Sequence, residues 1–229
     1  MSDFYIKKIG KRGKIDIWLV DGFKIRRDVD GQFSNFGQHF RFSFIPQNEF
    51  WLDKESVPNE RHFFVDHLLV EWKMMNDGVS YNEAVEVADN KERVERMMSG
   101  DFKKIVAKDG SIDTSKARKH LLGKTKEGVF VWLVDGRAVR SVFDIDFAEG
   151  GHDLVYNYVP QNEIWIDDDV SAKERLYVIL HELCERSWIG KGLNYSQAHY
   201  EKASPLEWEV RHNPEKLEES LMILGYCPE

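Results

Sequence analysis

Residues in the last third of the chain have the types and spacing of a hydrolytic metal site. His181 and Glu185 stand four apart, so on a helix they share one face. Glu182 follows His181 directly and sits round the helix near the same edge. His199 lies past the stop signal Gly190-Lys191-Gly192, on a following helix, and a short Gly-rich turn brings it back opposite Glu185. Two histidines and a glutamate with a fourth position open form a catalytic zinc set. Glu182 is then the general base for a water at that open position. The metal ligands expected are His181, Glu185 and His199; manganese or iron would also suit a carboxylate-containing set. His152, in Gly150-Gly151-His152, and Tyr195, four residues before His199, are the candidates for steadying a developing oxyanion. Each also has a plainer reading: a loop turn for the glycine pair, and a hydrogen bond inside the hairpin for Tyr195.

The run His181-Glu182-Leu183-Cys184-Glu185 resembles the zincin metallopeptidases, whose helix carries His-Glu-x-x-His. The likeness covers the helical hairpin only, about 20 residues. It implies His181 as a ligand, Glu182 as the base, His199 as the ligand from the next helix, and a peptide or protein as substrate. The family has a second helical histidine where this chain has Glu185, so Glu185 as third ligand is an inference from position. The wider layout Gly-Gly-His, Asn-Glu-Ile-Trp-Ile-Asp, His-Glu-Leu-x-Glu-Arg, Tyr-x-x-Ala-His is similar to phage- or prophage-type proteins.

The elements that must position these residues are written twice. Trp18-Leu19-Val20-Asp21-Gly22 recurs at Trp132 to Gly136, and Pro46-Gln47-Asn48-Glu49 recurs at Pro160 to Glu163. Gly78, Tyr81 and Ala84 recur as Gly192, Tyr195 and Ala198, all at one offset of 114. Residues 12–98 read as a degenerate, non-catalytic copy, 99–125 as a basic linker, 126–212 as the copy with the site, and 213–229 as a tail helix. His67 and Glu71 match His181 and Glu185, but Leu68, Val85, Gln38 and Trp72 stand where the second copy has Glu182, His199, His152 and Arg186. Those four polar residues peculiar to the second copy are the functional candidates. Trp51, Trp165, Asn48, Glu49, Asn162 and Glu163 occur in both copies and read as fold-forming.

Within each copy, Asp-Gly separates two β-rich runs, which reads as a hairpin turn. Residues 154–159 alternate apolar and polar as a half-buried strand does. From Ser171 the apolar period becomes helical, with Glu174 three residues on as a capping box. A second helix starts near Asn194 or Ser196 and runs toward Arg211, with Pro205 as a possible break. The fold class expected is α+β: a tandem duplication in which each copy is a small antiparallel β-meander followed by a helical hairpin.

Composition sets the outer bounds. The 229 residues are 42% hydrophobic, 13% aromatic and 31% charged, enough apolar mass for a core. A net charge of −8 argues against nucleic-acid binding, and no apolar run reaches a membrane span. The start of the sequence has no apolar signal region, and two cysteines, Cys184 and Cys227, build no disulfide framework, so a cytoplasmic location is expected. Cys184 lacks a base partner and is discounted as a nucleophile. Charge is segregated: residues 99–125 are basic, whereas 141–170 hold Asp144, Asp146, Glu149, Asp153, Glu163 and Asp167 to Asp169 with no Lys or Arg. That segregation suits solvated faces or an electrostatic contact. Three functions fit the sequence: a zinc-dependent peptidase with one degenerate copy, a non-catalytic binding or accessory protein using an acidic surface, and a structural metal site closing the hairpin.

Overall fold

The computed structural model describes residues 3–229, and the chain divides into two units, Met1–Phe102 and Lys103–Glu229. Each unit joins a mixed sheet to longer helices that follow its strand at Glu49–Asp53 or Glu163–Asp167, an α+β arrangement. The first unit runs β1 (Tyr5–Arg12), β2 (Ile15–Val20), α1 (Gly22–Asp28), β3 (Phe36–Gly37), β4 (Glu49–Asp53), α2 (Arg61–Asn76) and α3 (Tyr81–Met97). Its sheet has the order β1-β2-β4-β3. Ile15, Ile17, Phe50 and Leu52 pack against Phe64, Val65 and Leu68 of α2 to form its core. The short helix α4 (Phe102–Ile105) follows.

The second unit continues with β5 (Arg118–Thr125), β6 (Phe130–Val134), α5 (Gly136–Val142), β7 (Gly150–His152), β8 (Glu163–Asp167) and α6 (Ala172–Gly190). Beyond α6 come α7 (Tyr195–Ala198), a π turn over His199–Ala203, α8 (Ser204–His212), α9 (Leu217–Ile223) and β9 (Tyr226–Pro228). The strand order is β7-β8-β6-β5-β9. Helix α6 packs on β7 and β8 on one side and on α7, the π turn and α8 on another. The site residues on α6 therefore lie between a strand edge and the returning helix.

Neither sheet is an antiparallel meander. β2 pairs with β4, and β6 with β8, in parallel, while β1–β2, β3–β4, β5–β6 and β7–β8 are antiparallel. The Asp-Gly signal explains the difference. Asp21 and Asp135 do not turn a hairpin; each caps a helix, accepting from Lys24 N and Ala138 N respectively. The chain thus crosses over before returning to the sheet, and a crossover yields a parallel neighbour. Gly22 and Gly136 are needed there because a Cβ would run into the carboxylates of Asp53 and Asp167. Those carboxylates hold the buried guanidiniums of Arg26 and Arg140.

Other local expectations change too. Residues 154–159 form turns, not a strand, because the His152 carbonyl accepts from both Val155 N and Tyr156 N. Ser171 precedes α6, but its side chain does not cap it; Glu174 turns inward to Arg211 instead. Pro205 breaks nothing: it sits in the first turn of α8, directly after the π turn. The tail is helix α9 followed by β9, which adds to the edge of β5.

From Lys103 onward, the stretch read as a basic linker belongs to the second unit, where β5 is a strand of the sheet. Two of its charges meet the acidic run, Arg118 pairing with Glu163 and Lys119 with Asp168, while Lys104 bonds Asp135 at 2.7 Å. Charge segregation along the sequence here closes one sheet. The fold-forming tryptophans are buried, with Trp51 and Trp165 donating to Glu49 and Glu163 at 2.7 and 2.8 Å. No helix among the described residues is long and apolar enough to cross a membrane.

Candidate metal centre

Helix α6 presents His181, Glu182 and Glu185 toward β7 and the returning helix, and the π turn supplies His199. His181 Nε2 lies 3.1 Å from His199 Nδ1, His199 Nδ1 lies 2.6 Å from Glu185 Oε2, and His181 Nε2 lies 3.6 Å from that same oxygen. Ligand atoms of a tetrahedral zinc at ~2.1 Å stand ~3.4 Å apart. The three atoms therefore form a triangle of about the size that one face of such a site requires.

The other nitrogen of His181 is held from behind. Nδ1 donates to Glu207 Oε2 at 2.7 Å, which leaves Nε2 turned toward the triangle. Glu207 in turn accepts from Arg211 Nε at 2.8 Å, and Arg211 Nη2 donates to Glu174 Oε2 at 2.7 Å. The guanidinium carbon lies 4.7 Å from the Tyr177 ring centroid. Burial alone would push the Glu207 carboxyl up, but the bonds from His181 and Arg211 bring it down to about 2. Burial also works against a charged His181 ring; its bonds to Glu185 and Glu207 prevail and raise its pKa well above the ordinary imidazole value. Glu185 is likewise opposed by burial but is surrounded by His152, His181 and His199, and its pKa falls well below the carboxylate range.

Glu182 is the contrasting carboxylate. Burial, with Glu185, Glu207 and Glu149 nearby, raises it to about 8, with His181 acting in the other direction. One of its oxygens lies within 4.8 Å of liganding atoms of His152 and Glu185. Room for it comes from Gly150 on β7, where a Cβ would stand 3.2 Å from Glu182 Cγ and Oε1. Gly150 follows Glu149, whose φ of 62° is unusual for a residue with a side chain.

Tyr195 stacks on His199, with centroids 5.3 Å apart, and is 45% exposed. Burial raises its hydroxyl to about 12, so it remains a neutral donor near pH 7. His152 is fully buried, with Nε2 3.0 Å from Glu185 Oε1 and Nδ1 accepting from Leu154 N at 3.2 Å. Both ring nitrogens are engaged, which leaves none to face a substrate oxyanion. Arg186 is also spoken for: it forks onto Asp153 at 2.6 and 3.0 Å and reaches Asn162, tying down the loop after His152. Cys184 is buried, and burial pushes its thiol up, the wrong direction for a nucleophile.

Sequence reading missed Glu207, Arg211 and Glu174, although their counterparts exist in the first unit. There His67 Nδ1 donates to Glu92 at 2.9 Å, and Arg96 bridges Glu92 and Glu60 at 2.7 and 2.6 Å. Glu60 and Glu174 are 114 residues apart, as expected, but Glu92 and Glu207, and Arg96 and Arg211, are one residue further apart. The extra residue lies in the π turn, where α3 of the first unit is an uninterrupted helix. A π turn is how a helix absorbs one inserted residue, and such turns gather at functional sites. Here it carries His199 into the site while keeping α8 in register with α6.

The first unit packs apolar side chains at the corresponding place. At the position of Gly150 it has Phe36, whose ring stacks on Phe64 at 4.6 Å and stands edge-on to His67 at 5.3 Å. Beside it Leu68 replaces Glu182, so an apolar plug fills the region above His67. His67 donates instead to Glu71 at 3.1 Å and to Glu92. Burial opposes its charge, but the two carboxylates raise its pKa to about 10. Its stabilising contribution should be present in full below pH 6.5 and vanish as the pH rises through about 10. By NMR, the His67 ring should show no titration between pH 6 and 9; a midpoint near 6.5 would contradict this assignment.

No family model matches the chain, and comparison with curated proteins and with solved structures returns no significant match.

Proposed function

We propose that the chain is a metal-dependent hydrolase of the zincin type, acting on peptide bonds, in which the second unit is active and the first is a degenerate duplicate. The observation that carries the metal reading is the triangle of His181 Nε2, His199 Nδ1 and Glu185 Oε2, backed by Glu207 on the far nitrogen of His181. Supporting the duplication are matching strand orders and directions and the twin buried networks ending in Arg96 and Arg211.

A bound dication, zinc foremost, supplies Lewis acidity and favours ionised groups beside it. Glu182, within 4.8 Å of a Glu185 oxygen, is placed to take a proton from the attacking water and pass it to the leaving amine. Gly150 lets this side chain pack close against β7, where a Cβ would stand 3.2 Å from Glu182 Cγ and Oε1. Tyr195, a neutral donor on the solvent side of His199, is the group to steady the oxyanion.

The test is to load the full chain with Zn2+, incubate it with a mixed peptide library, and find new termini by mass spectrometry. Glu182→Gln keeps the side chain's shape and removes the base, so cleavage should fall by roughly 10²–10⁴-fold. Metal content should stay at the wild-type level. Undiminished cleavage by E182Q would refute the role of Glu182, and an absence of cleavage by the zinc-loaded wild type would refute peptide hydrolysis.

A further inference from the structure

We infer that His152 is a positioning residue that donates to Glu185 and keeps it a ligand through one oxygen, so that the site holds one metal ion and not two. This rests on the proposed metal reading and adds a stoichiometry to it. By residue type alone two overlapping sites are present: His181, Glu185 and His199 form one, and His152, Glu182 and Glu185 form another. Glu185 would be the bridge, since Oε2 faces His199 and Oε1 faces His152. Carboxylate-bridged metal pairs are built from such sets.

The proton on His152 decides between one ion and two. Leu154 N donates to Nδ1, so Nδ1 uses its lone pair there. A neutral imidazole with an accepting Nδ1 carries its hydrogen on Nε2. That hydrogen points at Glu185 Oε1, 3.0 Å away, and an N–H has no lone pair for a metal. The ring is fully buried on β7, and the turn after it is fixed by two backbone bonds onto the His152 carbonyl.

The first unit shows the same wiring with a different side chain. Gln38 stands at the matching position, fully buried. Its Nε2 donates to Glu71 Oε2 at 3.1 Å, and its Oε1 accepts from Phe40 N at 3.0 Å. Phe40 and Leu154 match at the same offset of 114. A glutamine amide nitrogen is a donor with no lone pair to offer a metal. What histidine and glutamine have in common here is therefore acceptance from the backbone on one end and donation to glutamate on the other. Holding Oε1 in this way turns Oε2 toward His181 and His199, the orienting work of an outer-shell partner.

Cobalt binding to the full chain tests this, because the visible spectrum of Co2+ reports the atoms that ligate it. The wild type should take up one Co2+. His152→Gln should bind less than about tenfold more weakly, with an unchanged spectrum, whereas His152→Ala should lose roughly 10–100-fold in affinity. Two Co2+ per wild-type chain, an altered spectrum in H152Q, or H152Q as weak as H152A would each overturn the inference. If the wild type takes up no Co2+, the metal reading itself fails, and this inference falls with it.

Discussion

Replacing Arg211 with methionine should cost the second unit about 3–5 kcal/mol, the range for removing one partner from a buried charge network. Arg211, Glu174 and Glu207 are all buried, and the guanidinium is the cation between the two carboxylates. Methionine fills much of the volume but removes the cation that bridges two buried carboxylates. Arg211→Lys should recover only part of the loss, since a single ammonium cannot reproduce a fork reaching Glu174 and Glu207 together. The measurement is urea unfolding of the full chain followed by tryptophan fluorescence. A loss below about 1 kcal/mol would place this network among exposed pairs of little worth, contrary to its burial.

The same substitution should reach the site. Glu207 would keep His181 Nδ1 but lose its own anchor, so metal affinity should fall by roughly 10–100-fold even where the fold survives. The twin network of the first unit, with Arg96 between Glu60 and Glu92, makes a control: Arg96→Met should destabilise without changing metal binding.

How much of this is legible in the sequence varies with the physics involved. The α6 face bearing His181 and Glu185 comes from a spacing of four residues, a property of any helix. His199 can be placed opposite because Gly192 and the Asn194 cap fix where the return helix starts. The sheet departs from the expected meander because Asp-Gly serves two purposes: it turns hairpins, and its aspartate caps helices. The residues after the glycine decide between the two, here an arginine that pairs with Asp53 or Asp167. The backing network is hidden by one inserted residue. An ungapped offset pairs Leu206 with Glu92, and the relation of Glu207 to Glu92 emerges only once the π turn is seen. Gly150 reads as part of a turn because a glycine's role as vacated space is invisible until Phe36, its counterpart, is seen filling that space over His67.

The π turn also makes His199 the residue on which the account stands. It is the only group of the triangle with no counterpart in the first unit, where His67, Glu71 and the network behind them recur but Val85 stands at the matching position. Removing the His199 ring should abolish tight metal binding and leave the fold intact, because the ring is only part-buried and stacks on the exposed Tyr195. The most direct measurement is elemental analysis of the full chain and of His199→Ala, each equilibrated with Zn2+ and dialysed. About one zinc per wild-type chain, absent from H199A with unchanged circular dichroism, is the predicted result. A wild type without zinc, or an H199A variant that keeps it, would contradict a metal centre built on His181, Glu185 and His199.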